Sequence, residues 1–411
     1  MILLLERRNK EFYLLNACLI TLLLLIVLFS PLRPTDEILL YTSDAQTYLG
    51  AGEEVFSLNK QGFSWTRPYL YSSFLYWGYQ IGGSKLIVIA QSFFWLLTAN
   101  FIYYGVRFIS NKKWIQIVAV SLFAINLSLI SYIFHGLTEV LSTLLLSIFV
   151  YITLKAKTKQ FDAYYFVLST IIFALLTVIK PLFYYPFLVF SIVTIFFHLK
   201  TILKTKKLVI LLLSAFLIIG TQFFIMYKKY DVIKISAISG LTFDNYILAQ
   251  GIRKLNDIDD IELSQELARN LSSQEKKKLI FENKSTFLNL YLTNLKDNIT
   301  GYGTNIILPA KFDVKTYVTF GSEYNKILYV CFLILLPIYI IFCFIDIFLR
   351  KIKHLEFIFI GLLFYYIVFS SGISFFQADR LVLFAIPLWI ILYIILIQRM
   401  IKVFRRKNNF Q

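Results

Sequence analysis

Apolar residues in this chain come in runs of about twenty, separated by short polar clusters, and that is the length a helix needs to cross a bilayer core. The runs predict ten membrane spans, at about residues 13–29, 86–106, 114–134, 137–154, 163–179, 182–197, 208–227, 327–349, 355–371 and 381–400. Two long polar stretches interrupt the series. Residues 33–83 form a polar, aromatic-bearing loop after the first span. Residues 228–325 form a mainly helical insertion, in which Ser272-Ser273-Gln274-Glu275 reads as a capping box opening a helix toward Phe281. Leu288, Tyr291, Leu292, Leu295 and Ile299 recur at helical spacing, which predicts a helix packed on the membrane domain. The fold class expected is an all-α polytopic membrane protein. It divides into an N-terminal transmembrane module (1–227), an extracytoplasmic helical segment (228–325) and C-terminal transmembrane helices with a basic tail (326–411).

Charge supplies the orientation. The N-terminal arm carries Arg7, Arg8 and Lys10, and alternate connections carry Arg107, Lys112 and Lys113; Lys155, Lys157 and Lys159; Lys200, Lys204, Lys206 and Lys207; and Arg350, Lys351 and Lys353. The tail adds Arg399, Lys402, Arg405, Arg406 and Lys407. Basic loops stay in the cytoplasm, so ten spans place both termini there. The same parity argues against a full crossing by the Gly-broken piece 69–83, which is expected to lie on the membrane surface.

Composition agrees: 58% of the 411 residues are hydrophobic, and mean hydropathy is +0.70. The net charge of +17 lies between spans, so it marks topology and not nucleic-acid binding. Cys18, Cys331 and Cys343 all lie in apolar runs, which excludes a disulfide framework. The first run is too long for a cleavable signal peptide and reads as a signal anchor. The Lys-, Asn-, Ile- and Phe-rich usage points to an AT-rich genome and a bacterial plasma (inner) membrane.

Ionisable residues at a membrane edge are costly, and they are the first candidates for chemistry. Asp44 lies in the loop after the first span, with Tyr48 one helical turn on; Asp36 and Glu37 are rival acids in that loop. Glu139 opens the fourth span, four residues after His135, and Lys180-Pro181 and Asp379-Arg380 mark two other outward turns. A metal held by His135 and Glu139 lacks a second ligand set, so no metal or cofactor is required and none is indicated. Lys180 and Arg380 are cations in short loops where the charge rule least expects them. Two cations beside an acid suit departure of a lipid-linked phosphate, with the carboxylate accepting a proton from an attacking hydroxyl.

The Asp44 loop, Arg67-Pro68-Tyr69, Leu137-Thr138-Glu139, Lys180-Pro181 with Pro186, and Asp379-Arg380 with Pro387 together resemble the GT-C superfamily of integral-membrane glycosyltransferases, on the branch of protein O-mannosyltransferases and the lipid A aminoarabinose transferase. The resemblance covers residues 13–227 and 327–400 and is thin over the insertion. It implies a polyprenyl-phosphate-linked sugar donor, an outward active site, Asp44 and Glu139 as the family acids, and Lys180 and Arg380 as phosphate-binding cations. Tyr48, Arg67 and Trp65 are candidate sugar or donor contacts; an aromatic belt at the interface explains Trp65 equally well. The acceptor stays open between a glycan, a lipid and a protein. Competing functions are an oligosaccharide polymerase of the O-antigen kind, and a lipid-linked glycan flippase or transporter. The flippase or transporter fits worse, because the spans carry few acids.

Overall fold

The computed structural model describes residues 10–55, 62–156, 161–301, 315–348, 355–375 and 377–408. Arg7, Arg8, Lys157, Lys159, Arg350, Lys351 and Lys353 of the expected cytoplasmic clusters lie outside these residues. Every regular element among the described residues is helical. In chain order they are α1 (Lys10–Phe29), α2 (Asp36–Leu39), α3 (Ser43–Glu54), a 3-10 turn (Phe63–Trp65), α4 (Tyr69–Arg107), α5 (Lys113–Ala124), α6 (Leu127–Tyr132), α7 (Glu139–Ala156), α8 (Ala163–Thr177), a 3-10 turn (Pro181–Phe183), α9 (Tyr184–Leu203) and α10 (Lys206–Tyr230). There follow α11 (Ile238–Thr242), a π-helical turn (Phe243–Leu248), α12 (Ala249–Asn256), α13 (Ile261–Asn270), α14 (Ser273–Glu282), α15 (Lys284–Thr300), α16 (Lys315–Phe348), α17 (Leu355–Ser371), α18 (Arg380–Leu383) and α19 (Ile386–Asn408).

Among the described residues, five helices are long and apolar enough to cross a membrane: α1, α4, α7, the stretch Pro181–Leu203 and α10. Five shorter apolar helical stretches, Lys113–Ala124, Ala163–Thr177, Leu333–Ile345, Leu355–Ser371 and Ile386–Ile401, fall where the remaining spans are expected. An apolar face is left outward on α1, where only Leu19, Leu23 and Ile26 are buried and Leu24, Leu25, Leu28 and Phe29 are exposed. The chain is thus a helical membrane protein. The most enclosed crossing helix is α7, 72% buried, so α7 is the pillar on which the bundle packs.

Several boundaries differ from expectation, each for a local reason. The stretch 33–83 is not an open loop, because it contains α2, α3 and the first arm of α4. That arm, the piece expected on the membrane surface, is helical and meets the next span at Gly83. Straight, 39 residues would extend about 58 Å, far more than a bilayer core needs. Gly83 breaks it, with φ 61° and ψ −159°, a conformation open to glycine alone. The first arm packs against α3, and it does so closely at Gly52, where a Cβ would lie 2.1 Å from the Ser72 carbonyl oxygen. The expected span 114–134 is two helices, because Asn126 stops α5 and caps α6 by accepting from the Leu129 amide (2.8 Å). The last expected span opens with the separate turn α18, and Pro387 then sits in the first turn of α19, where its missing N–H costs nothing.

α1 is fastened to α4 mid-helix by Asn16 and Asn100, whose amides exchange hydrogen bonds (2.9 and 3.2 Å). At the chain's N-terminal end, Glu11 pairs with Arg107 (3.0 Å) and Lys113.

The insertion has a small core of its own, built from Ile247, Leu248, Ala249, Ile252, Ala268 and Phe287. The capping box is formed: Ser272 and Glu275 each accept the other's backbone N–H (3.3 and 2.7 Å), and α14 runs to Glu282. The expected apolar stripe lies on α15 and is split. Leu295 and Ile299 join the main core, and the Tyr291 hydroxyl donates to the Phe369 carbonyl (2.7 Å). Leu288 and Leu292 are exposed.

Candidate functional site

Asp44 sits in the first turn of α3, not on a loop. Thr42 caps that helix by accepting from the Ala45 amide (3.1 Å), a placement that favours an acid in the first turn. One Asp44 carboxylate oxygen pairs with Arg67, and the other accepts from Arg380 Nη2 (2.6 Å). Arg67 precedes Pro68, the N-cap of α4; its Nε donates to the Thr47 hydroxyl (2.9 Å), and its guanidinium lies 4.6 Å above the Tyr48 ring. Tyr48 in turn meets Tyr71 edge to face at 5.2 Å.

Arg380 reaches two acids. Its Nε donates to Glu139 Oε1 (3.0 Å), and the same oxygen accepts from Lys180 Nζ (3.0 Å). Glu139 is the first residue of α7, and Lys180 ends the turn after α8, with Nζ also 4.7 Å from the Phe384 ring centre. The five groups form one chain of alternating charge, Arg67, Asp44, Arg380, Glu139, Lys180, with three cations and two anions. The more exposed acid is Asp44, whose side chain is 28% accessible; Glu139, at 0%, is the buried one. Burial alone would raise the Asp44 carboxyl, but Arg380 and Arg67 more than offset it and hold the acid well below the usual carboxylate range.

The structure thus brings Asp44, Glu139, Lys180, Arg380, Tyr48 and Arg67 together. It leaves Asp36 and Glu37 exposed on α2, with Asp36 against the Tyr79 hydroxyl; the acid that meets Arg67 and Arg380 is Asp44. His135 does not share a helix face with Glu139, because it lies in the turn before α7. It is fully buried, and burial pushes its imidazole down to about 3, so it is neutral at pH 7. Among the described residues no group of three or more His, Cys, Asp or Glu is placed to hold a metal ion. Trp65 packs edge-on against Tyr230 at 4.8 Å.

Other residues shape this site without standing out in the sequence. The stretch carrying Arg67 is pinned to the end of α10: Lys229, buried, donates to the Glu54 carbonyl and to the Ser64 hydroxyl (3.3 Å), and Gln222 accepts from the Tyr69 amide (3.0 Å). Tyr246, on the π-helical turn, lies where the fields of Asp44, Arg380 and Arg67 act on it, and it meets Phe375 edge to face at 5.3 Å. That turn is held in place by an Asp244–Lys276 ion pair (2.8 Å). A π-helical turn has no sequence signature, but such turns recur at functional sites. Next to Arg380, a cavity of about 40 Å³ opens between Asp379, Asn325, Ile299, Phe364, Ile386 and Trp389 and is mostly apolar.

No family model matches the chain, and no curated protein or solved structure matches it either.

Proposed function

We propose that this chain is an integral-membrane glycosyltransferase of the GT-C kind, moving a sugar from a polyprenyl-phosphate donor to a hydroxyl acceptor on the extracytoplasmic face of a bacterial plasma membrane. The observation that carries the reading is the alternating charge chain. It holds one more cation than anions, leaves Asp44 as the acid open to solvent, and is built from residues at the same ends of α3, α4, α7 and α18. The basic residues Arg107, Lys112, Lys113, Lys200, Lys204, Lys206 and Lys207 lie at the opposite helix ends, which on the positive-inside rule supports an extracytoplasmic reading of the cluster.

The chemistry is a single inverting displacement. The acceptor oxygen bonds to the anomeric carbon while the bond from that carbon to the phosphate oxygen breaks. The electron pair leaves with the polyprenyl phosphate, and the hydroxyl proton passes to Asp44. Arg380 and Lys180 take up the charge growing on the phosphate, Arg as a planar fork and Lys as a point charge. In the unliganded arrangement Arg380 and Arg67 quench Asp44 as a base. A donor phosphate competes for those guanidiniums and so frees the carboxylate only when substrate is present. Glu139 is too buried to reach an acceptor; its role is to hold Lys180 and Arg380 at one oxygen.

The test uses the full-length protein purified from membranes. Lipids extracted from it are expected to include a polyprenyl phosphate, and Asp44→Asn is expected to insert and fold but to lose transfer by two to four orders of magnitude, the usual worth of a general base (about 10²–10⁴-fold). Full transfer by Asp44→Asn overturns the assignment.

A further inference from the structure

Arg380 is the one cation that touches both acids, and the turn that carries it is shaped by the insertion, not by the membrane helices alone. The Asn298 side chain, 1% exposed on α15, donates to two carbonyls three residues apart ahead of Arg380, Ser371 (2.8 Å) and Ser374 (2.7 Å). Tyr291 one flank earlier holds the Phe369 carbonyl, and Asn294 reaches Gly372. At the other flank Asn325 bridges the Gly301 carbonyl (2.6 Å) and the Asp379 carboxylate (3.0 Å). The approach is close: a Cβ on Gly301 would stand 3.0 Å from that of Ala378, and a Cβ on Gly372 would strike the Tyr291 ring.

Ala378, two residues before Arg380, has φ 48°, in the left-handed region that alanine rarely adopts. Such a residue persists only where its surroundings over-determine it. Here Gly301 and the Asn325–Asp379 bond do so from one side, and the Asn298 bonds do so from the other.

We infer that Asn298 is a positioning residue for Arg380, through which the insertion sets where the guanidinium stands between Asp44 and Glu139. The inference rests on the reading of Arg380 as a phosphate-binding group. Its consequence is a coupling: whatever engages the insertion also adjusts the phosphate grip, because α15 side chains hold the carbonyls of Phe369, Ser371, Gly372 and Ser374 just ahead of Arg380.

The experiment is a double-mutant cycle on the full-length protein in nanodiscs of phosphatidylethanolamine and phosphatidylglycerol, with undecaprenyl phosphate as the probe and native mass spectrometry as the readout. Wild type is expected to prefer undecaprenyl phosphate over phosphatidylglycerol, and Arg380→Gln to lose that preference. Asn298→Ala is expected to weaken probe binding about tenfold, the usual scale when the partner orienting a binding group is removed. The double variant is expected to bind no more weakly than Arg380→Gln alone. Wild-type binding in Asn298→Ala, or an equal loss in both backgrounds, overturns the inference, since a general folding defect would not depend on Arg380. If Asn298→Ala fails to fold, Asn325→Ala takes its place in the cycle. If wild type shows no preference for the probe, the phosphate-lipid reading fails, and hydrogen exchange decides the positioning claim. Loss of protection confined to residues 369–383 in Asn298→Ala supports it, and unchanged protection there overturns it.

Discussion

Replacing Glu139 with Gln removes one negative charge from a site with 0% accessibility and leaves two cations facing an amide. Arg380 retains Asp44 at 2.6 Å, so the orphan is Lys180, whose side chain is 14% accessible. Breaking a buried ion pair from one side costs about 3–5 kcal/mol, because the remaining charge stays desolvated. A ceiling comes from the alternative open to the lysine, which is to give up its proton. At pH 7 that costs about 1.36 kcal/mol for each pH unit below a reference near 10.4, or roughly 4.6 kcal/mol. The Phe384 ring beneath Nζ returns on the order of 1 kcal/mol. The expected loss is therefore about 3–4 kcal/mol, which for 411 residues is a fall of roughly 4 °C in apparent melting temperature. Intrinsic tryptophan fluorescence during heating in detergent measures it. Glu139→Gln with Lys180→Met should recover most of the loss, since the uncompensated charge is then gone. A fall under about 2 °C for the single variant, or no recovery in the double, refutes the account of the network given above.

Four further outcomes follow from the same geometry. The acid limb of kcat/KM should lie below the ordinary carboxylate value of about 3.9, because Arg380 and Arg67 hold Asp44 down in the free protein; the stability this pair contributes is complete above that value and is lost as pH falls through the depressed one. A limb between pH 5 and 6 contradicts this. Gly83→Ala should cost about 1–3 kcal/mol by thermal unfolding, as no L side chain is at ease at φ 61°, ψ −159°. Asn100→Leu should cost about 1 kcal/mol by stranding Asn16 in an apolar setting, and Asn16→Leu added to it should restore the melting temperature. Ala378→Gly should stabilise by up to about 1 kcal/mol, relief of the left-handed strain outweighing glycine's entropy, while weakening phosphate-lipid binding through a looser Arg380 turn.

Much of this arrangement was visible in the order of residues, for identifiable reasons. Lys180 and Arg380 stood out because membrane topology penalises cations in those short turns, and Glu139 because an acid at a helix start inside an apolar run is expensive. Local rules also foretold the Ser272 capping box and the break at Gly83. The stop at Asn126 was missed because an asparagine inside an apolar run reads as a tolerated polar residue until its cap bond to Leu129 is seen. Thr42 had the makings of an N-cap, yet the weak apolar periodicity of the following twelve residues hid α3. Lys229, Gln222, Tyr246 and Asn298 were beyond reach for another reason. Each acts on a partner far along the chain, and neither periodicity nor spacing encodes such a pairing.

The charge chain also has a history written into its sequence separations. Lys180 lies 41 residues beyond Glu139, whereas Arg380 lies 241 beyond it. At about 5–20 residues per second, the ribosome needs roughly 10–40 s to make the 200 residues between the two cations. During that interval Glu139 and Lys180, 41 residues apart and paired at 3.0 Å in the folded chain, are both already made. The arginine is the last of the three to be made, and it is the group that joins Glu139 to the other acid, Asp44.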